Sequence, residues 1–600
     1  MTGSGGTAMV DDTVLGLFER SVREHPDRPA VSDGGRRLTY AELDRESDAA
    51  ASGLRARGVG VEDRIGLYVE RSADLFVAIL GILKAGAAYV AVDSRYPDGR
   101  RDLMLRAGGA KLIIGEPAWR DRLAHLAAEL VTLAELSEVS PAGPAGPVAA
   151  AVEPDTAASV LFTSGSSGEP KAIVLEHRNL VSFALNPGLP RLTSADRSGQ
   201  ISSVSFDAFH FEIWTTLAAG AEAVVLPPVP ELLAADFQRQ MKRYGITAML
   251  VPTMVVNHVV REDRDAFASL RILQVGGDVL QPSACRDLLG GRFAGELYNL
   301  YGPAEITTAC TAYRVTMADA ESDLVPIGAP LPGVSAHVLS PQLREVGDGE
   351  TGELFIGGPG VARGYQDQPE LTDERFRTLT GDDGRPVRVY RTGDLVRRRD
   401  DGALEFIGRV DDQVKIRGYR VEPGEVERGL RRQRQVLDAV VLPDGTADDR
   451  RLIAVVVVDG TPGVAELRAQ AARDLPDFMV PSHFIVVPQI PATEHGKRDT
   501  AALRELLDAH RLRRESHLPP GTETERYLVE LWERLLGVEN IGRNENFFAL
   551  GGHSLQAFQM HRRISRDLGV KLPFQALLAN TVLADLAGLI DQSVAGGGAA

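Results

Sequence analysis

Short β-rich runs recur between helix-like stretches from about residue 10 to 407. They are RIGLYV (64–69), KLIIG (111–115), SVLFTS (159–164), EAVVL (222–226), TAMLV (247–251) and RILQVGG (271–277), with PSACRDLLGG and DERFRTL among the intervening helix-like segments. An apolar run without polar alternation suits a strand buried on both faces, and strands separated by helices pack as parallel sheets with helices over them. After residue 522 the pattern changes. ETERYLVELWERLLGV, SLQAFQMHRRISRDLGV and TVLADLAGLIDQSVA space apolar residues about 3.6 apart and carry no strand signal, which predicts a small helical bundle.

Between these regions, GRVDDQVKIRGYRVEPG opens a smaller mixed unit that runs to about 510, and RLRRESHLPPGT reads as a linker, charged and then rich in Pro and Gly. SPAGPAGP at 140–147 joins two parts of one pattern and reads as a surface loop. The expected organisation is an α/β core over 10–410, a small α+β lobe over 411–510, a linker at 511–522 and an all-α four-helix bundle over 523–595. A length of 600 residues and 44% hydrophobic content supply several cores.

A net charge of −17 argues against nucleic acid, whose phosphates recruit basic surfaces. Cys285 and Cys310 stand alone without metal-ligand spacing, which fits a reducing cytoplasm and no disulfide framework. The N-terminus lacks the basic and apolar regions of a secretion signal, and LFVAILGIL at 75–83 falls well short of the roughly 20 residues a membrane span needs. No membrane association is expected.

Two loops carry chemistry. LFTSGSSGEPK sets Thr163, Ser164, Gly165, Ser166, Ser167, Gly168 and Lys171 just after an apolar strand, offering hydroxyls, backbone N–H groups and a cation to an anion. It is not a Walker loop, because Pro170 precedes the lysine and no Ser or Thr follows it at the required spacing. A solvated Gly/Ser turn is the plain alternative. In the second loop, LGGHSL, two glycines place Ser554 at the start of a helix with its hydroxyl outward, where it could also act as a cap.

The first loop resembles the phosphate loop of the adenylate-forming superfamily. LTYAEL, LKAGAAYVAVDSRYP, NLYGPAEITT, GELFIGGPGVARGY, YRTGDL, GRVDDQVKIRGYRVEPGEVE, LPDFMVP and HGK follow in that family's order, and NENFFALGGHSL resembles the peptidyl carrier signature, with Glu545 where aspartate is more usual. The chain thus resembles a nonribosomal peptide synthetase adenylation domain fused to a peptidyl carrier. The resemblance implies activation of an L-amino acid with ATP and Mg²⁺ as the aminoacyl-adenylate, then transfer to 4'-phosphopantetheine on Ser554.

It also implies residue roles. Glu305, with Thr163, would hold Mg²⁺, a hard ion suited to oxygen ligands. Tyr301 would stack on adenine, Asn299 would bond its edge, Asp394 would bind the ribose hydroxyls and Arg409 would support the nucleotide. Lys497 would bridge the substrate carboxylate and the α-phosphate, although PATEHGK departs from the family's more regular stretch, and Asp411 matches the hinge about which the small lobe swings. The substrate pocket would be Asp207, Ala208, Phe211, Thr253, Gln274, Gly276, Leu300, Thr308 and Ala309 with Lys497, Asp207 meeting the α-ammonium group. A neutral, mainly hydrophobic side chain of medium to large size is expected, with Gln274 able to meet a polar tip.

No condensation or thioesterase motif is found, so the chain is expected to start a product or serve enzymes acting in trans. A phosphopantetheinyl transferase and downstream condensation or tailoring enzymes are the implied partners, and an MbtH-like helper is compatible with the family. Rival readings are an acyl- or aryl-CoA ligase, disfavoured by Asp207 and the fused carrier, and an inactive scaffold that only docks the carrier. Lys497→Ala is expected to slow adenylate formation, read by pyrophosphate exchange, by about two to three orders of magnitude, the scale of one lost charge-stabilising contact.

Overall fold

In the computed structural model the described residues are 12–596, apart from 139–151, 166–169, 235, 382–383, 412, 417, 446–449, 461, 492–497, 513–517, 537, 539–540, 549, 551, 553 and 571. Two large sheets dominate the first four hundred residues. One has nine strands, of which six neighbours run parallel: Glu296–Tyr301, Ile272–Gly276, Ala248–Pro252, Arg197–Gln200, Glu222–Val225 and Pro29–Ser32. The other has seven strands, with Ala157–Thr163, Ala88–Ala91, Arg64–Tyr68, Leu112–Gly115 and Glu129–Val131 parallel. All six apolar runs named above lie in these sheets. The helix Ala73–Lys84, buried from Leu75 to Lys84, packs beside Tyr40–Ala56 in the same core, so the apolar run 75–83 reflects burial in protein.

The sequence pattern misses a third layer. Ser335–Leu339, Thr351–Gly357, Pro386–Arg398, Phe376–Thr380 and Leu404–Arg409 form an antiparallel sheet. DERFRTL, expected as helix, is split: the helix Pro369–Arg375 ends where Phe376 enters this sheet and buries its ring against Tyr365 and Tyr390. Tertiary packing overrides local helical propensity there.

Beyond 410 a two-stranded hairpin, Val414–Ile416 with Tyr419–Val421, precedes the helix Pro423–Arg431 and the sheet Val436–Asp444, Arg451–Val458 and His483–Val486. Its core, centred on Val426, Leu430, Ala454 and Leu467, is distinct from the larger one. The helix Thr500–Leu512 carries the chain toward the last unit. There Glu523–Leu536, Ser554–Leu568, Phe574–Ala579 and Leu583–Gly596 enclose a third core around Trp532, Phe547, Ile564 and Leu586. Among the described residues no helix is long and apolar enough to cross a membrane.

Trp532 is fully buried, with its ring edge-on to Phe547 and its indole N–H 2.9 Å from the Met560 sulfur. Trp532→Ala is therefore expected to cost about 3–5 kcal/mol, enough to unfold the small bundle. Because its core is separate, calorimetry should show the bundle's transition lost while that of the α/β core stays in place.

Candidate functional site

The parallel strands of the nine-stranded sheet end together, and the crevice beyond their carboxyl ends is where such sheets bind ligands. Pro252, Gly276 and Leu300 are register neighbours on adjacent strands, so Thr253, Gln274, Gly276, Asn299, Leu300 and Tyr301 gather at one edge. Asp207, Ala208 and Phe211 sit on one face of the first turns of the helix Asp207–Ala218, and the buried Phe211 ring stacks on Phe183, 5.4 Å between centroids. Thr308 and Ala309 close the ring of residues. Gly276 leaves no room for a larger side chain, since a Cβ there would lie 3.0 Å from the Leu300 carbonyl oxygen.

The loop carrying Thr308 is strained. Thr307 and Thr308 have φ of 60° and 75°, a region β-branched residues avoid, and Thr307 Oγ1 donates to the Gly360 carbonyl at 2.8 Å to hold it there. Thr308 Oγ1 donates to the Asp207 carbonyl at 2.8 Å and Thr253 Oγ1 to that of Asp278 at 3.2 Å. Two of the three uncharged polar side chains assigned to the substrate pocket are thus committed. For the third, the buried amide of Gln274, no protein partner is found among the described residues. Asp207 keeps some solvent access, yet burial among protein atoms outweighs the hydrogen bond from Ala208 and pushes its pKa up to about 6.

The phosphate-type loop is the tip of an antiparallel hairpin in which Thr163 faces Lys171. Ser166, Ser167 and Gly168 lie outside the described residues. Ser164 Oγ donates to the Arg420 carbonyl at 2.8 Å and Gly165 N–H to Glu425 at 3.2 Å, so the small lobe meets the start of the loop. Glu425 also pairs with the buried Arg100. Lys171 is almost wholly inside, 3.9 Å from Glu422 and over the Tyr365 ring; burial and the nearby Arg420 hold its pKa below the usual lysine value.

Glu305 is completely buried. Burial would raise its pKa, but Arg420, 2.9 Å away, and Lys171 outweigh that and keep it ionised below the ordinary value. Its other oxygen accepts from the Tyr365 hydroxyl at 2.8 Å. The Thr163 hydroxyl is buried without a partner. An orphaned hydroxyl and a carboxylate are hard oxygen donors of the kind Mg²⁺ takes, so these residues fit the ion.

Asp394 and Arg409 face each other on paired strands. Arg409 donates to Asp394 and, at 2.7 and 3.0 Å, to both oxygens of Asp411, linking the hinge position to the nucleotide-type carboxylate. Burial would raise the Asp411 pKa, and Arg409 brings it below the ordinary value. Between them Gly393 has φ of 75°, and a Cβ there would stand 2.9 Å from the Arg409 guanidinium. Tyr301 donates its hydroxyl to Asp394, and the Asn299 amide donates to the Pro326 carbonyl at 2.8 Å, leaving its oxygen the freer end.

Lys497 lies outside the described residues. Its neighbour Arg498 is tied to Glu427 within the lobe at 2.6 and 2.8 Å, while among the described lobe residues Arg420 of the hairpin strand Tyr419–Val421 reaches Glu305. Arg420, Tyr365 and Glu422 received no role from the sequence, although Arg420 stands in GYRVEPG. A long-range charge pair leaves no local signal. Tyr419 and Phe478 of the lobe close on Phe206, beside Asp207, with ring centroids 4.1–6.4 Å apart.

At the far loop, a Cβ on Gly552 would stand 2.4 Å from the Phe547 ring, so glycine lets the chain turn back and begin the helix at Ser554.

The family model for AMP-binding enzymes matches residues 18–366, that for the AMP-binding enzyme C-terminal domain 425–497, and that for the phosphopantetheine attachment site 526–590. The chain belongs to the AMP-binding enzyme family, as an adenylate-forming ligase of nonribosomal peptide synthetase type that uses ATP with Mg²⁺ and bears a carrier domain for 4'-phosphopantetheine. It is 36% identical over 579 residues to gramicidin S synthase 2 of Brevibacillus brevis, and 33% over 584 to bacitracin synthase 2 of Bacillus licheniformis. It spans 96% and 97% of itself in these matches but only 13% and 22% of those proteins' lengths. Its fold matches holo-PA1221, an NRPS protein containing adenylation and PCP domains bound to a vinylsulfonamide inhibitor, with TM-score 0.84, 29% identity and 98% of both chains covered. The four-domain synthetase holo-AB3403, bound to AMP and glycine, matches with TM-score 0.60 and 30% identity over 98% of this chain and 43% of that one. An adenylation domain joined to a carrier domain supports amino-acid activation and thiolation.

A carboxylate with pKa about 6 has a direct consequence if it meets an ammonium group. It must be ionised to do so, and therefore kcat/KM for the amino acid in pyrophosphate exchange should fall roughly tenfold per unit as pH drops below this value. Asp207→Asn should be slow at every pH and lack that limb. A wild-type profile flat from pH 5 to 7.5 would contradict the assignment.

Proposed function

We propose that this chain activates a neutral L-α-amino acid, of medium to large and mainly apolar side chain, and loads it on its own carrier at Ser554. The observation that carries this reading is Asp207, a half-buried carboxylate among residues assigned to the pocket whose other described side chains are uncharged. A carboxylate there can pay for desolvating an ammonium group, whereas an acidic or basic substrate side chain would find no partner. Gln274 offers a hydrogen bond to a polar tip.

In the first step a carboxylate oxygen of the amino acid attacks the α-phosphorus of ATP, and the bond from that phosphorus to the bridging oxygen breaks, releasing pyrophosphate. Lys497 is assigned to span the two reacting groups, the loop 163–171 to hold phosphate oxygens, and Asp394 the ribose. When bound at Glu305 and Thr163, Mg²⁺ supplies charge neutralisation for the phosphates. In the second step the thiol of the arm gives up its proton, its sulfur attacks the acyl carbon, and AMP leaves as the carbon–oxygen bond breaks. The arrangement of the described lobe suits this second step: its hairpin reaches Glu305 through Arg420, and Arg498 is tied to Glu427 within the lobe.

A phosphopantetheinyl transferase must install the arm, and downstream condensation or tailoring enzymes in trans would take the product. The carrier fusion and Asp207 together favour this over a CoA ligase. Ser554→Ala is expected to keep amino-acid-dependent pyrophosphate exchange near wild type and to abolish covalent loading after treatment with a transferase and coenzyme A. Intact-mass measurement checks both: an adduct on the variant would remove Ser554 from the scheme, and exchange with only des-amino acids would remove the amino-acid assignment.

A further inference from the structure

The carrier's helix Ser554–Leu568 lies against the core helices Val229–Ala234 and Thr253–Glu262, and two side chains on one of its faces carry the polar contact. Gln559 places its amide nitrogen 2.8 and 3.0 Å from the two ring nitrogens of His258. Arg562, one turn on, donates to Glu262 at 3.0 Å. Arg566, a further turn along, pairs with its neighbour Asp567 at 2.8 Å, so the charge contact with the core is the one between Arg562 and Glu262. Beside the pair lies a cavity of about 280 Å³ to which Asp236 and Asp263 add further acidic lining. None of these residues belongs to the pocket or the nucleotide site.

We infer that Glu262 and His258 form the core's half of a carrier-recognition contact, read by Gln559 and Arg562 five and eight residues beyond Ser554. The partner it fits is a carrier helix presenting an amide and then a cation at those positions, with an acidic helix rejected. The inference rests on the loading reaction proposed above. The tether already holds the carrier at a high effective concentration, so the contact's part is orientation and discrimination. A partly exposed ion pair contributes about two- to fivefold in population, and reversing one charge replaces attraction with repulsion, for a loss of about tenfold.

The test uses the full holo-chain and single-turnover loading of labelled amino acid on Ser554, with pyrophosphate exchange measured in parallel. Glu262→Arg and Arg562→Glu should each slow loading about tenfold and leave exchange unchanged, and the double exchange of charges should restore most of the rate. Wild-type loading should slow with salt, and Glu262→Gln with Arg562→Gln, which keeps both side chains near their size, should lose that salt dependence and show whether folding is intact. Single defects that simply multiply in the charge-swapped protein, or singles that load like wild type, would overturn the contact. Absence of exchange in the wild type would instead overturn the activation reading.

Discussion

The pairing of Arg420 with Glu305 ties the small lobe to the α/β core at the point where the chemistry is assigned. A buried ion left alone costs several kcal/mol, and removing one partner of such a pair typically costs about 3–5 kcal/mol. Glu305 has no exposure at all, so its charge must always be matched. In the present arrangement the match comes from the hairpin, with Lys171 adding to it. Any arrangement in which the hairpin withdraws must find that charge elsewhere, and the divalent cation that this family employs is the natural supply. The position of a whole lobe and the electrostatics of one carboxylate are in this way a single problem, and Arg100 with Glu425 fixes the same joint a second time.

The core's contribution is rigidity. Six parallel strands deliver their carboxyl ends to one edge, and the pocket side chains come from that edge, the helix Asp207–Ala218 and the strained turn at Thr307 and Thr308. Each piece is over-determined. Gly302 permits the turn to fold back, because a Cβ there would stand 2.5 Å from the Thr308 carbonyl oxygen, and the threonine hydroxyls are spent on backbone carbonyls. The strain is held by packing, which suits a site that must present fixed groups to a reacting centre.

The carrier is built on the opposite principle. It has its own apolar centre and meets the rest through a few partly exposed polar contacts, including Arg451 donating to the Leu536 carbonyl at 3.4 Å. Contacts of this kind are individually weak and easily exchanged. A unit that has to receive an arm, collect a substrate and leave requires such an interface.

Much of this was legible in the sequence because its causes are local. Uninterrupted apolar runs marked the buried parallel strands, the 3.6-residue period marked the bundle, and Thr163, Lys171, Glu305, Asp394 and Ser554 stood in motifs from which the roles proposed for them are drawn. Two kinds of fact were not legible. The antiparallel sheet from 335 to 409 has partly exposed strands and split DERFRTL between helix and strand, a choice made by Phe376 packing on Tyr365 and Tyr390. The pairing of Arg420 with Glu305, and of Arg562 with Glu262, joins residues 115 and 300 positions apart. The sequence by itself determined most of the elements and which residue types are available for chemistry, since both follow from side-chain type and spacing. Only the tertiary structure decided which charges meet, because Coulomb energy depends on distance and burial, and neither is set until the chain is folded.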